Sequence, residues 1–334
     1  MTQRVAVVGA GSWGTAVAAL TSTNVSTVLW ARRPELAEQI ATKHENGDYL
    51  AGLALPDALD STSDVRAAVD GADVVVMGVP SHGFRAVLTE LLPGLAAGVP
   101  VVSLSKGMEA DTQLRMTEVI AQVAPGHPAG VLTGPNLAKE VVQGSPAAAV
   151  VAFHEESVAE ALQGVFSTNT FRVYRNDDVV GCEVAGALKN VLAIAAGMAD
   201  GMNFGDNTKA ALLTRGLAEL TRLGVALGGN PLTFAGLAGM GDLVATCSSR
   251  QSRNRHVGEE LGKGRKLEDI VSEMKMVAEG VKTARSVVTI ANHAGVEMPI
   301  AEQVVAVLDG EVSAADVIVR LMSRSAKAES HGIA

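Results

Sequence analysis

Residues 4–19 read Arg-Val-Ala-Val-Val-Gly-Ala-Gly-Ser-Trp-Gly-Thr-Ala-Val-Ala-Ala, and few folds accommodate that stretch. Val5, Val7 and Val8 make a short β-branched run. Gly9, Gly11 and Gly14 follow in G-x-G-x-x-G spacing, and Thr15 to Leu20 reads as a helix of small residues. Gly9 permits a tight strand-to-helix turn, Gly11 lets backbone approach a pyrophosphate, and Gly14 lets the helix pack closely on the strand. The helix start adds unpaired N–H groups and a partial positive charge. The spacing points to a dinucleotide at the end of the first strand. The plain alternative is a tight turn with no ligand.

A second apolar run, Val25–Trp30, ends at Ala31-Arg32-Arg33-Pro34. In the NAD form of the fingerprint, an acid about 20 positions past the glycines takes the ribose 2′-hydroxyl. Here Arg32 and Arg33 stand there, and the first acid, Glu35, lies beyond a proline. Two cations without a carboxylate favour a 2′-phosphate, so NADPH/NADP+ is the expected cofactor, with NADH/NAD+ also possible. The alternative is a solvated strand end. Pro34 suits the first turn of a helix reaching about Lys43, and His44–Asp64 reads as a long connection with room for a short strand.

Asp73–Pro80 and Val99–Leu104 are continuous apolar runs of the kind buried in parallel sheets. Lys106 follows the second, where open α/β sheets bind ligands; a solvated loop lysine is the alternative. Gly130–Ala138 repeats strand, Gly134-Pro135 turn and helix. Ala147–Ala152 and Phe171–Tyr174 read as further strands around a helix from about Glu155 to Phe166. Alternation of strand and helix therefore persists to about residue 176, which specifies a doubly wound sheet.

From Asp178 the period becomes helical. Val179–Asp200 is rich in Ala and Val and is interrupted by a single internal charge pair, Glu183 and Lys189. Lys189 either snorkels to the surface or sits in a cleft whose surroundings tune it for proton transfer. Lys209–Gly228 reads as a helix, and Gly236–Leu243 as a glycine-rich loop carrying Asp242. Ser249-Arg-Gln-Ser-Arg-Asn-Arg-His256 then places Ser252 as a helix N-cap, with Arg253 and Asn254 following. Exposed N–H groups and a guanidinium at one helix start suit a phosphate. A solvated basic turn is the alternative. Leu267–Ser272, Glu279–Ala294, Ile300–Leu308 and Ala314–Ser323 read as helices, and Ser325–Ala334 as a polar tail.

Several function classes fall away. A net charge of −9 disfavours general binding to nucleic acid or anionic membranes. Cys182 and Cys247 are far apart, which gives neither a disulfide framework nor a zinc site and suits a reducing cytoplasm. The seven histidines show no close ligand spacing, so no metal is expected. No leader is apparent before the first strand. Pro and Gly interrupt the longest stretches free of Asp, Glu, Lys and Arg, so no transmembrane segment is expected.

Taken together, the motifs resemble the prokaryotic NAD(P)-dependent glycerol-3-phosphate dehydrogenase family. The matching residues are Gly9-x-Gly11-Ser-Trp-Gly-Thr-Ala16, Trp30-x-Arg32, Ser105-Lys-Gly107 and Gly134-Pro-x-x-Ala138. They continue with Leu188-Lys-Asn-Val191, Gly241-Asp-Leu243, Ser252-Arg-Asn254 and Val277-x-Glu279-Gly280. The resemblance implies an N-terminal Rossmann NAD(P)-binding domain (residues 1–178). An all-helical C-terminal domain follows (residues 179–334), similar to that of 6-phosphogluconate dehydrogenase. It further implies hydride transfer between NAD(P)H and dihydroxyacetone phosphate, supplying glycerol 3-phosphate for phospholipid synthesis in the cytoplasm, with a homodimer as the expected assembly.

By the same resemblance Lys189 is the proton donor and acceptor. Lys106, Gly134, Asp242, Ser252, Arg253 and Asn254 contact glycerol 3-phosphate. Ser12, Trp13, Arg32, Lys106, Ala138, Arg253, Val277 and Glu279 contact NADPH. Asn136 stands where the family more often has Ser or Thr beside the substrate, and its amide can still hydrogen-bond. Two alternatives share the fingerprint: a related two-domain NADP-dependent hydroxyacid or carbonyl reductase, and a non-catalytic NADPH-sensing regulator.

Overall fold

The computed structural model describes residues 3–274, 278–326 and 328–329. The chain forms two compact units. One comprises the residues up to Glu109 together with Leu114–Val179, and the other Ala110–Gln113 with the chain from Val180 onward.

The first unit is an eight-stranded sheet. Its strands are β1 (Arg4–Val8), β2 (Ser26–Trp30), β3 (Leu59–Thr62), β4 (Val74–Met77), β5 (Val101–Ser103), β6 (Ala129–Thr133), β7 (Ala147–Ala152) and β8 (Phe171–Asn176). Helices α1 (Ser12–Ser22), α2 (Pro34–Lys43), α3 (Val65–Val69), α4 (Ser81–Leu91), α5 (Met116–Val123), α6 (Ala138–Val142) and α7 (Glu156–Phe166) lie between them in sequence. The strand order is β3-β2-β1-β4-β5-β6-β7-β8, so the winding reverses between β1 and β4. In such sheets the ligand crevice opens at that reversal, at the carboxyl ends of the strands.

Side-chain alternation explains why the strands read as unbroken apolar runs. Val5 and Val7 enter a core with Val17 and Leu20 of α1 and Leu162 and Phe166 of α7. Ala6 and Val8 enter a second core with Ala68 of α3, Phe84 of α4 and Ile120 of α5. A strand covered on both faces has no solvated side to mark with polar residues.

The expected alternation of strand and helix holds, with one difference of direction. All neighbouring strands run parallel except β6 and β7, which pair antiparallel. The connection between them carries only the short helix α6.

Among the described residues of the second unit there is no strand. Its helices are α8 (Val179–Gly201), α9 (Asp206–Ala226), α10 (Pro231–Ala235), α11 (Asp242–Ser248), α12 (Arg253–Gly262), α13 (Leu267–Glu273), α14 (Glu279–His293), α15 (Pro299–Leu308) and α16 (Ala314–Met322). By length and composition α8 could cross a membrane, yet 94% of its apolar window is buried inside the protein. It is the core helix of this unit. The expected loop Gly236–Leu243 is instead mostly helical. Gly241 N–H donates to the Gly236 carbonyl at 3.0 Å, an i→i+5 bond that makes Leu237–Gly241 a π-helical turn running straight into α11. Glycine allows the tight packing such a turn needs, and single π turns often mark functional positions.

Two further contacts shape this unit. A Cβ on Gly258 of α12 would lie 2.0 Å from the Ile194 carbonyl oxygen of α8, and one on Gly197 of α8 would lie 2.0 Å from the Arg255 carbonyl oxygen of α12. The two helices touch backbone to backbone, which fixes the start of α12 against the helix carrying Lys189. Elsewhere, buried Glu219 of α9 accepts from Ile300 N (2.8 Å) and Ala301 N (3.3 Å), capping α15 from across the bundle. Burial pushes that carboxyl up to about 7, against the downward pull of the two N–H donors.

Candidate active site

In the first unit the three fingerprint glycines divide by cause. Gly9 has φ +118, a left-handed conformation that β-carbon-bearing residues rarely adopt, and Gly14 would place a Cβ 2.0 Å from the Gly9 carbonyl oxygen. Both are demanded by the protein's own backbone. Gly11 differs: a Cβ there would meet nothing within 4 Å. The open space above Gly11 is what close approach of a pyrophosphate requires. Gly11 is also the N-cap of α1 and offers no side-chain bond to the helix's first N–H groups, and a helix start of this kind favours an anion.

The side chains around this turn are committed to the protein. Ser12 Oγ donates to the Tyr49 carbonyl oxygen at 3.2 Å. The Trp13 ring packs against Phe171, centroids 6.2 Å apart, and its buried indole N–H has no partner. At the end of β2, Arg32 is exposed, whereas Arg33 is ion-paired with Asp48. Asp48 comes from the connection after α2, which sequence reasoning left without a role.

A second polar group gathers after β5 and β6. Lys106 Nζ donates to the Gly134 carbonyl oxygen at 2.9 Å. Gly134 has φ +126, with a would-be Cβ 3.2 Å from Ala149 Cα, so the turn after β6 requires glycine. Two residues on, both amide atoms of Asn136 are buried without a hydrogen-bond partner. Each such atom costs about 1–3 kcal/mol when unsatisfied, so this amide is poised for a ligand. Ala138 opens α6, which packs on α1.

The second unit holds a buried lysine–carboxylate pair. Lys189 of α8 is 5% exposed, so it does not snorkel. Its ammonium donates to Asp242 Oδ1 at 2.5 Å and to Thr246 Oγ1 at 2.6 Å. Thr246 in turn donates to Asp242 Oδ1 at 3.2 Å. Asp242 and Thr246 are four apart on α11 and so share one face. Thr246 was missed from the sequence, although its i+4 spacing from Asp242 was there to be read. Next to it, burial pushes the Cys247 thiol up to about 12, too high to serve as a nucleophile.

Ser252 caps α12, its Oγ accepting from Arg255 N at 3.2 Å, as the sequence indicated. Arg253 follows, exposed. Asn254 is buried, and its Oδ1 accepts from Gly280 N at 3.0 Å; a backbone N–H can only donate, so the Asn254 Nδ2 end is the one left to donate elsewhere. Glu279 is the first residue of α14. Val277 lies outside the described residues. Among those residues no group of three or more His, Cys, Asp or Glu is placed to hold a metal ion.

Comparison with known proteins decides the family. The N-terminal model of NAD-dependent glycerol-3-phosphate dehydrogenase matches residues 4–159, and the C-terminal model of the same family matches residues 178–319. The chain belongs to the NAD-dependent glycerol-3-phosphate dehydrogenase family. A relative from Sphingopyxis alaskensis, "Glycerol-3-phosphate dehydrogenase [NAD(P)+] 2", is 55% identical over 99% of both chains. One from Mycobacterium avium is 53% identical over 92% of this chain and 90% of its own. A crystal structure of glycerol-3-phosphate dehydrogenase from Coxiella burnetii superposes with a TM-score of 0.92 at 34% identity, covering 97% of this chain and 99% of that one. Membership in this dehydrogenase family favours neither the general reductase nor the non-catalytic sensor.

Proposed function

We propose that this chain is an sn-glycerol-3-phosphate dehydrogenase (NAD(P)+), reversibly interconverting dihydroxyacetone phosphate and glycerol 3-phosphate. The observation that carries the reading is the buried Lys189 ammonium held by Asp242 and Thr246. For stability alone, apolar residues in place of both partners of such a buried pair would often serve as well or better. Lys189 has a chemical use.

The cofactor side belongs to the first unit: Gly9, Gly11, Ser12, Trp13, Gly14, Arg32, Arg33, Lys106 and Ala138. With the Ser12 hydroxyl and the Trp13 ring engaged elsewhere, these two residues contribute their backbone N–H groups at the α1 start. When bound, the nicotinamide supplies or accepts the hydride. In the second unit, Ser252, Arg253 and Asn254 hold the phosphate through helix N–H groups, a guanidinium and the Nδ2 amide end. That grip is remote from the reacting carbon and serves to position it. Lys106, Gly134 and Asn136 contribute further polar contacts, and Arg253, Val277 and Glu279 add to cofactor binding.

Proton transfer falls to Lys189. As the ammonium, it donates a hydrogen bond to the C2 oxygen and then its proton as the alcohol forms. In the reverse direction the neutral amine takes the hydroxyl proton. A positioned acid–base group of this kind contributes ~10²–10⁴-fold to the rate. Asp242 and Thr246 aim the ammonium, and Asp242 balances its charge in a setting that excludes water.

NADPH is the preferred cofactor in this reading, on the strength of Arg32 and Arg33. We place the protein in the cytoplasm as a homodimer that supplies glycerol 3-phosphate for phospholipid synthesis. A single absorbance assay tests the function. NADPH, and more slowly NADH, is oxidised only when dihydroxyacetone phosphate is added. No substrate-dependent oxidation with either cofactor defeats the proposal.

A further inference from the structure

We propose that Asp48 is a cofactor-specificity residue that opens an NADPH-type site to NADH; the inference rests on the dehydrogenase reading above. The acid missing from the usual position after β2 arrives from a different place in the chain. Asp48 lies in the turn between α2 and β3, and its carboxylate is paired with Arg33. Neighbours on both sides of it are tied to the cofactor turn. Asn46, fully buried, donates through Nδ2 to the Ala10 carbonyl oxygen (2.9 Å) and to Thr15 Oγ1 (2.8 Å), and its Oδ1 accepts from Tyr49 N (3.2 Å). On the other side, the Tyr49 carbonyl oxygen accepts from Ser12 Oγ at 3.2 Å. Leu50, also fully buried, donates its N–H back to the Asn46 carbonyl oxygen at 2.9 Å. The turn is therefore braced between the α1 start, where a pyrophosphate is received, and the carboxyl end of β2, where the adjoining ribose is read.

The consequence is a site carrying both signs of charge. A carboxylate only accepts hydrogen bonds, so Asp48 suits a 2′-hydroxyl and repels a 2′-phosphate. Arg33 does the reverse, and its planar guanidinium favours a phosphate bidentately. With NADH, Arg33 stays on Asp48 while the carboxylate's remaining lone pairs take the ribose hydroxyl. With NADPH, the phosphate draws Arg33 away and also gains Arg32, which has no ion pair among the described residues. Preference is then the difference of two opposed terms held within one ion pair. Deleting either partner moves it in opposite directions.

The test is calorimetric binding of NADPH and NADH to wild type, Asp48→Ala and Arg33→Ala, with turnover measured in parallel. For charges a few ångströms apart near solvent, the effect is about five- to tenfold. Asp48→Ala should raise the ratio Kd(NADH)/Kd(NADPH) by that factor, through tighter NADPH and weaker NADH. Arg33→Ala should lower it. Both positions are half exposed, and Arg33→Ala keeps the test open if Asp48→Ala fails to fold. An unchanged ratio in Asp48→Ala overturns the proposal. So does weaker NADPH with unchanged NADH, because Asp48 would then only be steadying Arg33. These outcomes are separable from failure of the dehydrogenase reading, which shows as absent turnover in wild type whatever the binding ratio.

Discussion

Replacing Lys189 perturbs folding and chemistry together, and the structure shows how to separate them. Asp242 is 1% exposed and Lys189 5%, so Lys189→Met leaves a carboxylate buried without its cation. Breaking such a pair by removing one partner costs about 3–5 kcal/mol, a large share of the ~5–15 kcal/mol that holds a typical domain together. The Thr246 Oγ1 bond to Asp242 Oδ1, at 3.2 Å, is already present with Lys189 in place and does not replace the lost cation. The double variant Lys189→Met with Asp242→Asn removes both charges, keeps both volumes, and should regain most of the lost stability. Its turnover should not return, because the proton donor is gone; the deficit expected is ~10²–10⁴-fold. The assay pairs urea unfolding with steady-state rates and NADPH fluorescence titration of wild type, single and double variants. Cofactor affinity should hold, since neither Lys189 nor Asp242 is among the residues assigned to the cofactor. Near-normal turnover in the folded double variant would refute the role assigned to Lys189.

Two further outcomes follow from geometry already described. Gly11→Ala meets no protein atom and should change stability by no more than about 1 kcal/mol while raising the KM for cofactor. Gly14→Ala, 2.0 Å from the Gly9 carbonyl oxygen, should instead unfold or grossly destabilise the first unit; thermal melts with cofactor titration distinguish the two. Glu219 has its carboxyl raised from 4.5 to about 7, so the folded state favours the protonated form. The stability this contributes is fully present below about pH 4.5 and lost as pH rises through about 7, a swing of roughly 3 kcal/mol. Glu219→Gln should flatten that dependence in urea midpoints taken between pH 5 and 8; an unchanged slope would mean that Glu219 is not its source.

What the sequence disclosed about the sheet, and what it withheld, have one physical explanation. Strands such as Val74–Met77 are buried on both faces, so their composition alone marks them. β3, Leu59–Thr62, is an edge strand with only Leu59 buried, and a polar four-residue run carries little periodic signal. The direction of β7 was not legible at all: β7 pairs antiparallel with β6 and parallel with β8, and its apolar run reads the same either way. The glycine-rich run at Gly236–Gly241 invited a loop reading because glycine is a poor helix former. Its helical state is imposed from outside: a Cβ on Gly239 would lie 2.1 Å from the Phe234 carbonyl oxygen. Packing chose the conformation, and glycine was the residue that could comply.

The candidate site divides along a similar line. Groups that act through their own backbone conformation were readable, because glycine at fixed spacing is itself the signal. The partners of those groups were not. Lys189 was visible as a lone cation in an apolar helix, yet the acid that meets it lies 53 residues onward, and no spacing rule links the two. Arg33 shows the gap most plainly. Read along the chain, two arginines with no acid in range favour NADPH over NADH. Read in space, the carboxylate of Asp48 comes 15 residues later to meet the second of them, delivered by a turn whose bonds run through the buried side chain of Asn46. A spacing rule tests for an acid at one place in the sequence, whereas the ribose tests for one at one place in space. The two questions have different answers here, and that difference is why cofactor preference in this protein is best sought in paired substitutions at Arg33 and Asp48.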